Sequence, residues 1–70
     1  MIPLSVAENN TDLVVRRIGG NPEIRRHLEN LGFVVGAVVR VVADNGGNVI
    51  VNVKDSRVAV SESAASHVFV

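Results

Sequence analysis

Few side chains in this sequence are equipped for chemistry. Two histidines, His27 and His67, lie far apart along the chain, and Glu23 stands four residues before His27. On a helix that spacing puts a carboxylate and an imidazole on one face, a pair able to hold a ferrous ion weakly, with His67 joining only if the fold brings it near. A half-buried, hydrogen-bonded imidazole beside an apolar stripe is the plainer account of His27, and outward alternation from Val68 is that of His67, so no metal site is expected. Cysteine is absent, which removes thiolate ligands and thiol nucleophiles together. The serines are scattered, with no base and orienting group beside them in sequence. No GxxxxGK[ST] phosphate loop occurs, and the Gly-Gly-Asn runs at Gly19 and Gly46 lack the lysine. Neither an enzyme nor a bound cofactor is expected.

Arginine offers a second kind of chemistry. Arg16, Arg17, Arg25 and Arg26 flank Gly19-Gly20 and could form a phosphate-contacting patch. Against that, seven Lys and Arg are balanced by seven Asp and Glu, and the only aromatic residues are Phe33 and Phe69. The chain thus lacks both the positive excess and the rings for base stacking that a general nucleic-acid binder uses. A protein partner asks less. Arg25, Arg26 and Glu29 on the outer side of a helix, Arg57 on a hairpin and Ile50 on an otherwise polar strand face are the candidate docking residues. Arginine suits interfaces because its fork and its apolar stem both contribute, although ordinary surface exposure explains each residue taken singly.

The elements that must carry these residues follow from size and pattern. Seventy residues make one domain, residues 1–70, and a chain so short buries only about 60% of the surface it exposes when unfolded. Without disulfides, its stability rests on apolar burial. The start, Met-Ile-Pro-Leu-Ser, lacks the features of a signal peptide, and no run approaches the ~20 apolar residues of a membrane span, so a soluble cytoplasmic domain is expected. Ile2, Leu4 and Val6 alternate as a short edge strand would, and Leu13 to Ile18, ending at Gly19-Gly20, reads as a strand.

Asn21, Pro22 and Glu23 signal a helix start, and Ile24, Leu28 and Leu31 then share one face. Gly32 in the left-handed conformation, followed by Phe33 against Leu28, would close the helix as a Schellman cap. Ala37 to Ala43, apolar except for Arg40, predicts a strand touched on both faces. Asp44 to Gly47 predicts a hairpin, and Asn48 to Lys54 returns with Val49, Val51 and Val53 on one side. Asp55 to Arg57 reads as a turn into Val58-Ala59-Val60. Ser61 caps one helical turn to Ala65, and His67 to Val70 makes a last strand with Val68 and Val70 inward. Together these predict a mainly β fold: a small closed antiparallel barrel with one short helix over an open end.

The order of these pieces resembles the FeoA domain family, ferrous iron transport protein A. The resemblance runs from about Val15 to Val70. It is carried by Arg-Arg-x-Leu-x-x-Leu-Gly-Phe at Arg25 to Phe33, Gly36 before the central strand, Ser56-Arg57-x-Ala59, and the closing Ala65-x-x-Val68-x-Val70. The family commonly has a glycine before its first strand, where this chain has Asn10-Thr11. The resemblance implies an SH3-like barrel and a non-catalytic cytoplasmic accessory of the bacterial ferrous-iron transporter FeoB, which has its own GTPase domain. Related barrels at the C-termini of iron-dependent repressors supply the alternative, a metal-responsive or nucleic-acid-binding module. The chain shows no helix-turn-helix beside the barrel, which favours the transporter accessory.

Overall fold

The computed structural model describes residues 1–70. Strands β1 (Asp12–Val14), β3 (Val38–Asn45), β4 (Asn48–Val53) and β5 (Ser56–Ser61) form an antiparallel sheet in the order β1-β3-β4-β5, while β2 (Arg17–Ile18) pairs with β6 (Val68–Phe69). Register sets the inner face. Leu13 lies opposite Val39, which lies opposite Val53; Val41 meets Val51, and Val51 meets Val58; Val49 meets Val60. Valine fits this role because its branched side chain packs well on a pleated surface. Leu4, Val15, Leu28, Phe33, Ala65 and Val68 complete a buried cluster that contains no polar side chain. Apolar transfer therefore carries this core, at about 25 cal/mol per Å² removed from water.

Helix α1 (Pro22–Asn30) begins and ends as its sequence dictates. The Asn21 side-chain oxygen accepts from the Ile24 N–H at 2.8 Å. At the other end Gly32 takes φ +105°, its N–H donates to the Glu29 carbonyl and the Phe33 N–H donates to the Leu28 carbonyl, both at 3.0 Å. These two bonds are the Schellman pattern, and Leu28 and Phe33 are both fully buried. Ile24 and Leu31 are half-buried against the same core. Helix α2 (Glu62–Ala65) is one turn, with Ser61 Oγ accepting from the Ala64 N–H at 3.1 Å.

Several expectations need correcting. Residues Leu4–Val6 form a 3-10 turn instead of an edge strand; only Leu4 is buried, and Ile2 and Val6 are exposed. The segment Leu13 to Ile18 is broken in two. Val14 pairs with Val38 of the larger sheet, whereas Arg17 pairs with Phe69 of the smaller, so the chain changes partners at Val15-Arg16. The second hairpin turns at Lys54-Asp55, with Val53 opposite Ser56 and Arg57 already in β5. A three-residue turn over Asp55 to Arg57 would set Val58 opposite Lys54 and flip Val58 and Val60 to the outer face. Strand β3 is covered on one face only, since Val38 is exposed. Finally, the barrel is not fully closed: β5 pairs with β4 alone, and α2 carries the chain across to the smaller sheet without a ladder.

Asn10, where the resembling family commonly has glycine, adopts φ +61°. Asparagine tolerates that left-handed region better than most residues, so the turn survives the exchange. At the chain ends, Ile2 and Val70 exchange both backbone hydrogen bonds, at 3.0 and 2.9 Å.

Candidate docking surface

Arg25, Arg26 and Glu29 all lie on exposed positions of α1, on a helix fixed from its other side by Leu28. None of the three is in an ion pair; the single ion pair of the molecule joins Arg40 and Asp12 at 2.8 Å, both well exposed. Ile50 and Arg57 belong to a different group, the outer face of β4 and β5. There the register runs Asp12, Arg40, Asn52, Arg57 across four strands, and the Arg57 Nε donates to the Asn52 side-chain oxygen at 3.4 Å. Ile50 is half-buried between its register partners Ala43 and Ala59, so it offers less surface than its place on a polar face suggested. No hydrogen bond or ion pair links the α1 group to the β4/β5 group.

The remaining residues with chemical potential separate in the same way. Glu23, His27 and His67 do come together, lining with Ser61 and Ser63 one open cleft of about 470 Å³ between α1 and α2. No three His, Cys, Asp or Glu side chains approach closely enough there, or elsewhere, to hold an ion. Of the arginines around the glycine loop, exposed Arg17 lies over the half-buried Phe69 ring with its guanidinium carbon 5.6 Å from the centroid, a cation–π contact at the surface.

Sequence reasoning overlooked one feature, an apolar exposure. Val14 and Val38 are register partners on the outer face, 45% and 53% exposed, and Val34 and Val35 in the loop before β3 are exposed as well. The signal was present in Val38-Val39-Arg40-Val41: once Val39 and Val41 point inward, Val38 must share the outer side with Arg40.

Comparison with known proteins agrees with this architecture. The FeoA domain family model matches residues 2–70.

The chain belongs to the FeoA domain family.

This FeoA domain is 26% identical, over all of its length and 85% of the relative's, to a Methanocaldococcus jannaschii protein provisionally named Fe(2+) transport protein A. It is 35% identical to Stenotrophomonas maltophilia FeoA, a zinc-complexed crystal structure described as a procaryotic SH3 domain protein. That match covers 99% of this chain and 88% of the other, with a TM-score of 0.85. A manganese-dependent transcriptional repressor superposes with a TM-score of 0.85 over 94% of this chain but 38% of its own, at 22% identity. That last likeness is one of fold. The SH3-like architecture and the link to ferrous iron transport thus follow from family membership, and no helix of the domain is long and apolar enough to cross a membrane.

Proposed function

We propose that this FeoA domain is a non-catalytic cytoplasmic accessory of ferrous-iron uptake that docks on the cytoplasmic part of a FeoB-type membrane transporter. The observation that carries the docking surface is the outer side of α1. Arg25, Arg26 and Glu29 stand there unpaired on a helix whose opposite side is locked by Leu28 and by the Schellman turn into Phe33. A rigid helix loses little backbone entropy on binding, and arginine commonly anchors such contacts. Family membership supports the transport context. Core and interface then share one element: Leu28 holds the barrel while its neighbours two and three positions back face outward.

The test is a binding measurement between the purified domain and the cytoplasmic part of the transporter, with and without guanine nucleotide. Arg25→Glu with Arg26→Glu should weaken binding at least about tenfold, or roughly 1.4 kcal/mol, without changing the melting curve. Absence of binding by the unaltered domain would overturn the docking reading, and undiminished binding by the doubly reversed variant would remove α1 from it.

A further inference from the structure

The incomplete closure of the barrel leaves β5, the longer of the larger sheet's two edge strands, paired on one side only. Parity of the ladder identifies its groups. The Gly46-Gly47 turn makes Asn45 and Asn48 a hydrogen-bonded pair, so Asn48, Ile50 and Asn52 direct their backbone groups towards β3, and Val49, Val51 and Val53 direct theirs towards β5. On β5 it follows that Ser56, Val58 and Val60 bond to β4, while the N–H and C=O groups of Arg57, Ala59 and Ser61 point away from the sheet. The Arg57 and Ala59 groups and the Ser61 N–H lie on the side of β5 away from its only partner strand, while the Ser61 carbonyl, as the N-cap of α2, accepts the first helical bond and keeps one lone pair for a further donor; all three residues are exposed. Natural edge strands are commonly blunted by proline, a bulge, very short length or a covering element. β5 has six residues, no proline and an unbroken register with β4, and its one charged side chain is Arg57.

We infer that two copies of this chain join along β5, antiparallel about a two-fold axis at Ala59, so that the two four-stranded sheets become one. Charge and size name the occupant. In that register Arg57 lies opposite Ser61 of the second copy, one residue from its Glu62, and the reciprocal pair forms at the other end. Arg57 has no carboxylate partner within its own chain, and neither Arg57 nor Glu62 is in an ion pair. The residue at the axis is alanine, which lets the two strands approach without bulk. Seven basic against seven acidic residues leave no net self-repulsion. Because the same edge is used by both copies, the contact closes on itself and does not propagate into a filament.

Sedimentation equilibrium of the full chain over about a thousandfold range of concentration tests this. The expected mass rises from 7.4 kDa towards twice that value. Amide exchange at Arg57, Ala59 and Ser61 should slow as concentration rises. Ala59→Pro removes an N–H that bonds nothing in the monomer, so the variant should fold and stay monomeric throughout. Arg57→Glu should weaken association at least about tenfold, and adding Glu62→Arg to it should restore most of that loss. Should Ala59→Pro fail to fold, the charge-swap pair decides alone. A mass fixed at 7.4 kDa throughout, a folded Ala59→Pro variant that still dimerises, or a charge swap without rescue would each overturn the inference. So would a monomeric chain whose β5 amides are protected only by an added partner peptide, which would assign the edge to another protein.

Discussion

Gly32 answers two demands at once, and substituting alanine there separates them. Its φ of +105° lies in the region that L side chains rarely adopt, which costs about 1–2 kcal/mol for a residue with a Cβ. A methyl group at Gly32 would also sit 2.8 Å from Val53 Cγ1, well inside the ~3.5–4.0 Å of a comfortable carbon–carbon contact. Val53 is buried on the inner face of β4, held by ladders on both sides, so it has little room to yield; overpacking of this kind costs a further ~1–3 kcal/mol. Gly32→Ala should therefore lose about 2–5 kcal/mol in urea-unfolding experiments, a large share of the stability of so small a domain. Gly36 supplies the control. It has φ +94° but no atom within 4 Å of where the methyl would go, so Gly36→Ala should show the backbone cost alone. Val53→Ala removes the atom in the way, and Gly32→Ala measured in that background should fall to the Gly36→Ala level. Equal losses at Gly32 and Gly36 in the unaltered background, or a Gly32 loss unmoved by Val53→Ala, would refute the packing part of the reasoning.

Other substitutions probe the remaining contacts. Phe33→Ala, at a fully buried position, should cost about 3–5 kcal/mol, whereas Arg26→Glu on the exposed side of α1 should change thermal stability by no more than about 0.5 kcal/mol; the reverse ranking would mean the helix faces are misassigned. Asn21→Ala deletes the bond to the Ile24 N–H and should destabilise by about 0.5–2 kcal/mol, with Asn21→Ser recovering most of it in the same melts. Lys54 holds φ +57° in the second hairpin, so Lys54→Gly should be neutral or stabilising by up to about 1 kcal/mol, opposite in sign to glycine placed within β4.

What could be read in advance was local. The α1 caps, the Schellman turn and the one-turn α2 depend on residues within a few positions of one another and formed where Asn21, Gly32 and Ser61 indicated; the first hairpin falls within Asp44 to Gly47, with the turn at Gly46-Gly47 and Asp44-Asn45 still in β3. What escaped was set by distant partners. Ile2, Leu4 and Val6 alternate like a strand, but three residues carry little periodicity, and the Val6 N–H bonds the Pro3 carbonyl at 3.1 Å while Leu4 alone reaches the core. The break at Val15-Arg16 reflects two sheets competing for one segment, which no property of Leu13 to Ile18 reveals. The second turn was misplaced because Asp-Ser-Arg has turn composition, whereas the inward positions of Val58 and Val60 fixed the register. Among the candidate docking residues, exposure of Arg25, Arg26 and Glu29 followed from helix periodicity and that of Arg57 from its reading as a turn residue, although it lies in β5, while the half-burial of Ile50 depended on Ala43 and Ala59 across the sheet.

The mutual hydrogen bonds of Ile2 and Val70 make the first and last turns of the path neighbours in space. A host protein could therefore receive this barrel within a surface loop, entry and exit side by side, with little distortion of either. Such geometry suits a portable cassette, and a barrel of this shape also occupies 38% of a longer repressor chain. Engineers seeking a small valine-cored insert, or a permuted version with new ends opened at Gly46-Gly47, would find the splice point already closed by paired backbone.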